Sequence, residues 1–147
     1  MSKNARNNGQ TRIEHDLLGE KSIPSSAYYG VQTARALENF HISGVPISHY
    51  PDLVRGLAMV KLAAARANHD VGQMPKDVLA GVEKACADLI EGQLHDQFMI
   101  DVFQGGAGTS TNMNANEVIA NRALEHMGRE KGEYEICDPH DHINCSQ

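Results

Sequence analysis

Residues 101–125 read DVFQGGAGTSTNMNANEVIANRALE, a glycine-rich turn followed by a regularly patterned segment. After the turn, apolar residues recur at three- and four-residue intervals, which is the spacing of one face of an α-helix. This stripe consists of Ala115, Val118, Ile119 and Leu124, together with the aliphatic stem of Arg122. Gly128 is suited to end the helix, because glycine readily adopts the left-handed backbone that follows a last helical turn. The pattern predicts a helix over about 111–127.

Two further helices are predicted upstream, and each begins at a proline, a residue whose fixed φ suits a first helical turn. The first begins near Pro51 and closes at Gly72, and the second begins near Pro75 and stops at Gly92. The apolar stripe of the first is Leu53, Leu57, Val60 and Ala64. That of the second is Val78, Val82, Cys86, Leu89 and Ile90. The cysteine on this stripe is interpreted as a packed thiol.

The first third of the chain is irregular, because glycine and proline divide it into short pieces. The segment YYGVQT (28–33) fits a short strand or an extended arm, and a helix is predicted over roughly 32–40. The segment HDQFMIDVF (95–103) also fits a short strand. No internal repeat is present. The predicted fold class is mainly α, with an irregular N-terminal arm and little strand.

The composition restricts the possible function classes. A chain of 147 residues can form one domain with a core, and the net charge of −6 comes without any basic stripe that would bind nucleic acid. No window holds the roughly 18 apolar residues of a membrane span, and MSKNARNNGQTR lacks the apolar core of a secretory signal. We therefore expect a cytoplasmic protein with reduced cysteines and a polar, disordered segment at residues 1–11.

The glycine turn has the features of an anion site. Gly105, Gly106 and Gly108 allow positive φ and a close approach of a ligand, and Thr109 to Thr111 stand where a helix cap belongs. The free N–H groups and the dipole of the helix favour negative charge there. A P-loop needs a lysine directly before its serine or threonine, where this chain has Gly108. The dinucleotide-binding fingerprint G-x-G-x-x-G is incomplete in this chain, because its third glycine is missing. A small carboxylate, an inorganic anion and an ordinary capped turn remain open.

A second polar cluster lies near the end of the chain, in CDPHDHINC (137–145). Cysteine and histidine are typical zinc ligands, and this segment holds Cys137, His140, His142 and Cys145. Their spacing matches none of the usual structural zinc patterns, and Asp138 and Asp141 can equally form caps and turns. We therefore predict no metal site here and keep zinc as an alternative.

Four stretches together resemble the aspartase/fumarase superfamily over nearly the whole chain. They are RIEHDLLGEKSIPSSAYYGVQTARALENFHIS (12–43), MPKDV (74–78), residues 101–125 and DPHDHIN (138–144). Within the superfamily, QGGAGTS resembles the loop of the aspartase branch, which reversibly eliminates ammonia from L-aspartate to give fumarate. Class II fumarases more typically carry a QTGSGTQ-like version and are the alternative. A free-standing anion-binding module is a further alternative.

The resemblance implies roles for particular residues. Thr109 would contact a substrate carboxylate, supported by Ser110, Gly108 and nearby backbone N–H groups. No catalytic residue is expected in this chain, because the family's serine base comes from elsewhere and from other subunits of a homotetramer. The family implies no cofactor, apart from activation of the complete enzyme by a divalent cation. Near Asp138–Asp141 the fumarase pattern H-P-N-D is replaced by D-P-H-D, so the second anion site of the fumarases is not carried over.

The resemblance also implies a domain layout. Residues 12–140 would be the N-terminal lyase domain, and residues 141–147 would begin a central helical domain. In the family, the stretch similar to DPHDHIN leads to the motif Q-S-(S/T)-N-D, and this chain stops at Gln147. We therefore expect a fragment of a longer protein, inactive as a lyase by itself.

Overall fold

An antiparallel hairpin opens the part of the chain that the computed structural model describes, residues 9–145. Strand β1, Thr11–Asp16, pairs with β2, Gly19–Pro24, across a tight turn at Leu17 and Leu18. The irregular arm predicted for this region is therefore wrong for residues 11–24, which form this hairpin. The predicted disorder of residues 1–11 falls mostly on residues 1–8, outside the described residues, and Thr11 already belongs to β1.

Helix α1, Val31–Asn39, agrees with the helix predicted over roughly 32–40. The strand reading of YYGVQT is wrong, because Val31 to Thr33 form the first turn of α1. The strand reading of HDQFMIDVF is wrong as well. That segment contains a 3₁₀ turn at His95–Gln97 and one isolated bridge between Pro46 and Asp101.

The two proline-initiated helices are present as α2, Pro51–Asp70, and α3, Lys76–Ile90. The predicted apolar face of α2 is nevertheless wrong, because Leu53 and Val60 are 45% and 56% exposed. The buried face is rotated by one residue and consists of Val54, Ala58, Lys61, Ala65 and Asn68. This face packs mainly against α3, and periodicity alone did not distinguish it from the more apolar face beside it.

Helix α3 buries the stripe that the sequence predicted, with Val78, Val82, Cys86 and Leu89 inside and Ile90 half-buried. Burial raises the pKa of the Cys86 thiol to about 12, as expected of a packed cysteine. Helix α3 packs tightly against the next helix at Gly81. A Cβ atom there would lie 3.0 Å from Met127 Cγ and 3.1 Å from the carbonyl oxygen of Ala123.

Helix α4, Thr109–His126, occupies the centre of the fold and begins two residues earlier than predicted. It is buried without interruption from Met113 to Asn121, so polar side chains share its surface with the predicted apolar stripe. These buried polar residues are Asn114, Asn116, Glu117 and Asn121. Gly128 follows the helix with φ 73°, as expected of its end. Tertiary packing, rather than one amphipathic face, therefore holds this helix in place.

A π-helical turn, Pro139–Ile143, packs against α4 near the end of the described chain. The expected domain boundary between residues 140 and 141 falls inside this turn, and Ser146 and Gln147 lie outside the described residues. The division into domains stays a prediction. The mainly α fold class is confirmed. No helix within residues 9–145 has the length and apolar character needed to cross a membrane.

Candidate functional site

The glycine turn leads directly into the first residue of α4. Gly108 adopts φ 70° and ψ 19°, the left-handed region, and its N–H donates to the carbonyl oxygen of Gly105 at 3.0 Å. The carbonyl of Gly108 then accepts the N–H of Asn112 at 3.1 Å and starts the helical pattern. A side chain at Gly108 would be strained because L-residues rarely adopt this φ. The glycine is therefore required by the turn itself.

The cap of α4 comes from Gln104 and not from the hydroxyl residues that the sequence analysis placed there. The Thr111 N–H donates to Gln104 Oε1 at 2.8 Å, and Gln104 Nε2 contacts Thr111 Oγ1. The same Nε2 donates to the carbonyl of Asp101 at 3.4 Å. Thr109 and Ser110 are the first residues of the helix itself. Their hydroxyls are thus not used as caps.

The donors at the start of α4 are open to a ligand. Within the part of the chain that the structure describes, the backbone N–H groups and hydroxyls of Thr109 and Ser110 have no hydrogen-bond partner. Thr109 is exposed and Ser110 is partly exposed, as are the loop residues before them. The helix dipole adds positive potential at this end. This arrangement suits a small anion, with the two hydroxyls able to orient it.

Asp101 anchors the segment that leads into the loop. Its carboxylate accepts N–H groups from Ile42, Ser43 and Gly44 at 2.8–3.2 Å, and also the Phe103 N–H at 2.8 Å. Ser43 Oγ donates to it at 2.7 Å. Burial acts to raise the pKa of Asp101, but these hydrogen bonds outweigh it and hold the pKa well below its usual range. The start of the loop is thereby fixed to the turn after α1.

The polar cluster at the end of the chain is organised by its own capping contacts. The Asp138 carboxylate accepts the N–H groups of His140 and Asp141 at 2.6 and 2.8 Å, and the Asp138 N–H donates to His142 Nδ1 at 2.8 Å. Cys137 is buried, which raises the pKa of its thiol to about 12. Among the described residues, no group of three or more His, Cys, Asp or Glu side chains has the arrangement of a metal site. The capping interpretation of Asp138 is confirmed.

Comparisons with known proteins identify the relatives of this chain. A family model described as lyase matches residues 19–147. The chain belongs to the lyase family. It is 60% identical over 137 residues to an aspartate ammonia-lyase from Pseudomonas aeruginosa, an alignment that covers 93% of this chain and 29% of that protein.

Solved structures of related lyases have the same fold as this chain. The fumarate lyase:delta crystallin from Brucella melitensis has a TM-score of 0.92 and 59% identity over 94% of this chain and 30% of its own. A class II fumarase from Schistosoma mansoni has a TM-score of 0.86 and 35% identity over 94% of this chain and 29% of its own. The lyase chain thus spans less than a third of the length of these relatives.

A partly buried amide cluster in the lyase chain connects the first two turns of α4 to Asn144, the residue after the π-helical turn. Asn144 Oδ1 accepts from Asn112 Nδ2 at 2.8 Å, from Asn116 Nδ2 at 3.2 Å and from Lys61 Nζ at 3.3 Å. Burial lowers the pKa of Lys61 to about 8. Sequence reasoning missed this cluster, because the lysine lies on the face of α2 that was expected to face solvent. Three donors converging on one amide oxygen fix the two turns relative to each other.

The first turn of α1 is occupied by two carboxylates of the lyase chain. Glu117 accepts the N–H groups of Gly30, Gln32 and Thr33 at 2.7–3.1 Å, and Glu14 accepts the Val31 N–H at 2.8 Å. Burial raises the pKa of Glu117, while the hydrogen bonds from these N–H groups act to lower it. The sequence signal for this contact was Glu117 itself, a charged residue within the apolar pattern of α4.

Two cavities flank α1 in the lyase chain. One of about 690 Å³ is lined by residues that include Leu18, Val31 and Glu117, and one of about 590 Å³ by residues that include Phe40 and Asp101. Thr109 and Ser110 line neither of them. The open donors at α4 are therefore exposed at the surface of the described residues, and their role as substrate contacts stays a prediction.

Proposed function

We propose that this chain is the N-terminal part of an enzyme that reversibly eliminates ammonia from L-aspartate to give fumarate. In this proposal Thr109 binds a substrate carboxylate, supported by Ser110 and Gly108. The carrying observation is the pair of residues at the start of α4 whose N–H and hydroxyl groups have no partner within residues 9–145. The 60% identity to the Pseudomonas aeruginosa aspartate ammonia-lyase supports the choice of substrate.

The chemistry explains why such donors are needed. Removing a proton from the carbon beside a carboxylate places further negative charge on a group that is already negative. Preorganised donors around that carboxylate stabilise the transition state more than the ground state. The start of α4 supplies two hydroxyls, two N–H groups and the positive end of the helix dipole. These groups are already in position before the reaction, so they need no rearrangement in the transition state. The base that takes the proton comes from residues beyond this chain, in the complete protein.

The proposal extends to the complete protein. A homotetramer in the cytoplasm would combine this loop with residues of other subunits at each site. Activation by a divalent cation is proposed on the same family grounds, and the Brucella melitensis relative has been crystallised bound to cobalt. The residues of this chain are not proposed as ligands of that cation.

Class II fumarase, which would interconvert malate and fumarate, is the second candidate. The Schistosoma mansoni fumarase favours it through a TM-score of 0.86. The identity to that enzyme is 35%, against 60% to the aspartate ammonia-lyase. The same loop would bind a carboxylate in both reactions, so only the substrate distinguishes them.

The test follows fumarate absorbance in the ultraviolet with the full-length protein, supplied with L-aspartate in one reaction and L-malate in another. Fumarate from L-aspartate alone is the expected result. Fumarate from L-malate alone would replace the proposal with the fumarase candidate. The 147-residue chain, assayed in parallel, should give no turnover, and activity that persists after removal of host enzymes would contradict its proposed dependence on residues elsewhere.

A further inference from the structure

We infer that Gln104 is a positioning residue that sets which helix donors remain available to the substrate carboxylate. The inference rests on the proposed function of the loop. The carboxamide of Gln104 reaches seven residues ahead in the chain and hydrogen-bonds to Thr111 through both of its ends. Among the described residues it forms no hydrogen bond to Thr109 or Ser110, so it acts through the backbone that carries them.

The chemistry of this contact requires a carboxamide. Gln104 Oε1 accepts the Thr111 N–H, while Nε2 faces Thr111 Oγ1 and donates to the carbonyl of Asp101. A carboxamide accepts through its oxygen and donates through its nitrogen at the same time, with fixed geometry. A glutamate at this position keeps the acceptor and loses the donor. An asparagine keeps both groups and lacks the reach.

The contact determines the set of free donors. With the Thr111 N–H occupied, the N–H groups of this helix end that have no partner in the described part of the chain belong to Thr109 and Ser110. An anion is therefore directed to the first two residues of α4, next to their hydroxyls. Without Gln104, the Thr111 N–H would compete for the same ligand one position further along the helix, and the orientation of the carboxylate would be less defined.

The contact also limits the freedom of the loop. Asp101 fixes the segment before Gln104 to the turn at Ser43 and Gly44, and Gln104 fixes the segment to α4. Between these anchors and Gly108, the exposed residues are Gly105, Gly106 and Ala107. Two glycines in so short a span would lose much backbone entropy on ligand binding. The anchors reduce that loss in advance, which is preorganisation.

The first experiment measures KM and kcat for L-aspartate with the full-length protein, comparing Gln104→Asn with the control Gln93→Asn. Gln93 is an exposed glutamine in the turn after α3. We expect Gln104→Asn to lower kcat/KM about tenfold, the scale of one lost hydrogen bond, through both a higher KM and a lower kcat, because the donors act more strongly on the transition state than on the ground state. The control should leave both constants unchanged. An unchanged kcat/KM would overturn the inference whether or not the melting temperature falls, and with a lowered melting temperature it would assign Gln104 a purely structural role.

Whereas Gln104→Asn tests the effect of a shorter side chain, Gln104→Glu tests the effect of charge at constant side-chain length. It keeps an acceptor for the Thr111 N–H but adds a negative charge close to the substrate carboxylate. We expect a larger rise in KM than for Gln104→Asn, and we expect the excess to shrink when salt is added, because salt screens the repulsion. A KM equal to that of the unaltered protein would overturn the inference.

Hydrogen exchange of the unaltered full-length protein gives a test that does not depend on a folded variant. Resolved to single residues, the Thr111 amide should exchange more slowly than those of Thr109 and Ser110. Equal rates for all three would overturn the inference. Failure of the proposed function is recognised separately, because the unaltered protein would then form no fumarate from L-aspartate.

Discussion

The N-termini of α1 and α4 both present backbone N–H groups that can bind an anion. In α1 these groups are bonded to side chains of the chain itself, whereas in α4 some of them are left without a partner among the described residues. At α1, the first-turn N–H groups are taken by the carboxylates of Glu14 and Glu117. At α4, Gln104 takes one N–H, and the N–H groups of Thr109 and Ser110 have no partner within residues 9–145. The positive end of a helix attracts an anion in both cases. The difference shows that a helix end becomes a candidate site when the fold leaves its donors unoccupied.

The surroundings of the two helix ends match this difference. The start of α1 is called the occupied end here, and the start of α4 the open end. Gly30 lies at the occupied end, where a Cβ atom would lie 2.6 Å from Glu14 Oε2 and 2.7 Å from the Tyr134 hydroxyl. Gly105 and Gly106 lie before the open end, with no atom within 4 Å of such a Cβ. The occupied end is therefore closely packed against other side chains, whereas the open end has room for a ligand. Substitutions at the two ends should therefore affect different quantities.

The largest stability effect is expected from Glu117→Ala. The substitution leaves the N–H groups of Gly30, Gln32 and Thr33 buried without their acceptor and opens a cavity in the core. We expect the free energy of unfolding to fall by about 4 kcal/mol, the scale of breaking a buried charged network. Urea denaturation followed by circular dichroism measures it. The control Glu83→Ala removes only a surface ion pair with Arg66 and should cost about 0.5 kcal/mol. Equal losses for both variants would contradict the comparison.

Thr109→Val tests the open end through activity. In the full-length protein we expect the substitution to weaken transition-state stabilisation by about 2–4 kcal/mol, measured from kcat/KM for L-aspartate. The melting temperature should stay unchanged, because the Thr109 hydroxyl has no partner among the described residues. Thr11→Val, at an exposed threonine of β1, is the matched control. An unaffected kcat/KM for Thr109→Val would remove this hydroxyl from the proposed site.

A glycine pair compares the packing of the two ends directly. Gly30→Ala should lower the free energy of unfolding by about 1–3 kcal/mol, because the new methyl group overlaps buried polar atoms. Gly105→Ala should change it by no more than about 0.5 kcal/mol, as for an exposed loop position. Thermal or urea denaturation of both variants measures the two losses of unfolding free energy. A larger loss for Gly105→Ala than for Gly30→Ala would show that the occupied end is loosely packed.

The smallest effect concerns the pH dependence of the anchor before the open end. Because hydrogen bonds hold the pKa of Asp101 below its usual value of 3.8, its contribution to stability is present above that value and is lost as the pH falls toward the folded pKa. The amide resonances of Ser43 and Gly44 should report this titration by NMR with a midpoint below 3.8. Asp101→Asn should abolish the transition. A midpoint at or above 3.8 would contradict the anchoring role.

Local sequence features predicted the helices and the loop well. Pro51 and Pro75 marked the starts of α2 and α3, and the spacing of Val78, Val82 and Cys86 gave the buried face of α3. The glycine turn was recognised as a helix entry. Each of these depends on residues close together in the chain, so each can be judged from a short window.

The missed features depend on contacts between distant residues. The hairpin carries charged residues on both strands and buries mainly Glu14 and Ile23, so its alternation was not apolar enough to detect. The buried face of α2 depends on the surface it packs against. Gln104 caps a helix from outside it, and Glu117 caps a helix 84 to 87 residues earlier in the chain. No local pattern distinguishes such side chains from solvent-exposed ones.

The close contact at Gly81 fixes the C-terminal part of α4, at the opposite end of the helix from the glycine turn. From Ala123 to Thr109 the helix axis runs about 21 Å, so a tilt of about 3° at the contact would move the loop by about 1 Å. A displacement of that size in a reactive geometry can reduce a rate about a hundredfold. Substitutions that alter the packing of Gly81 against Met127 can therefore displace Thr109 and change the rate, although these residues lie at the far end of the helix from the loop.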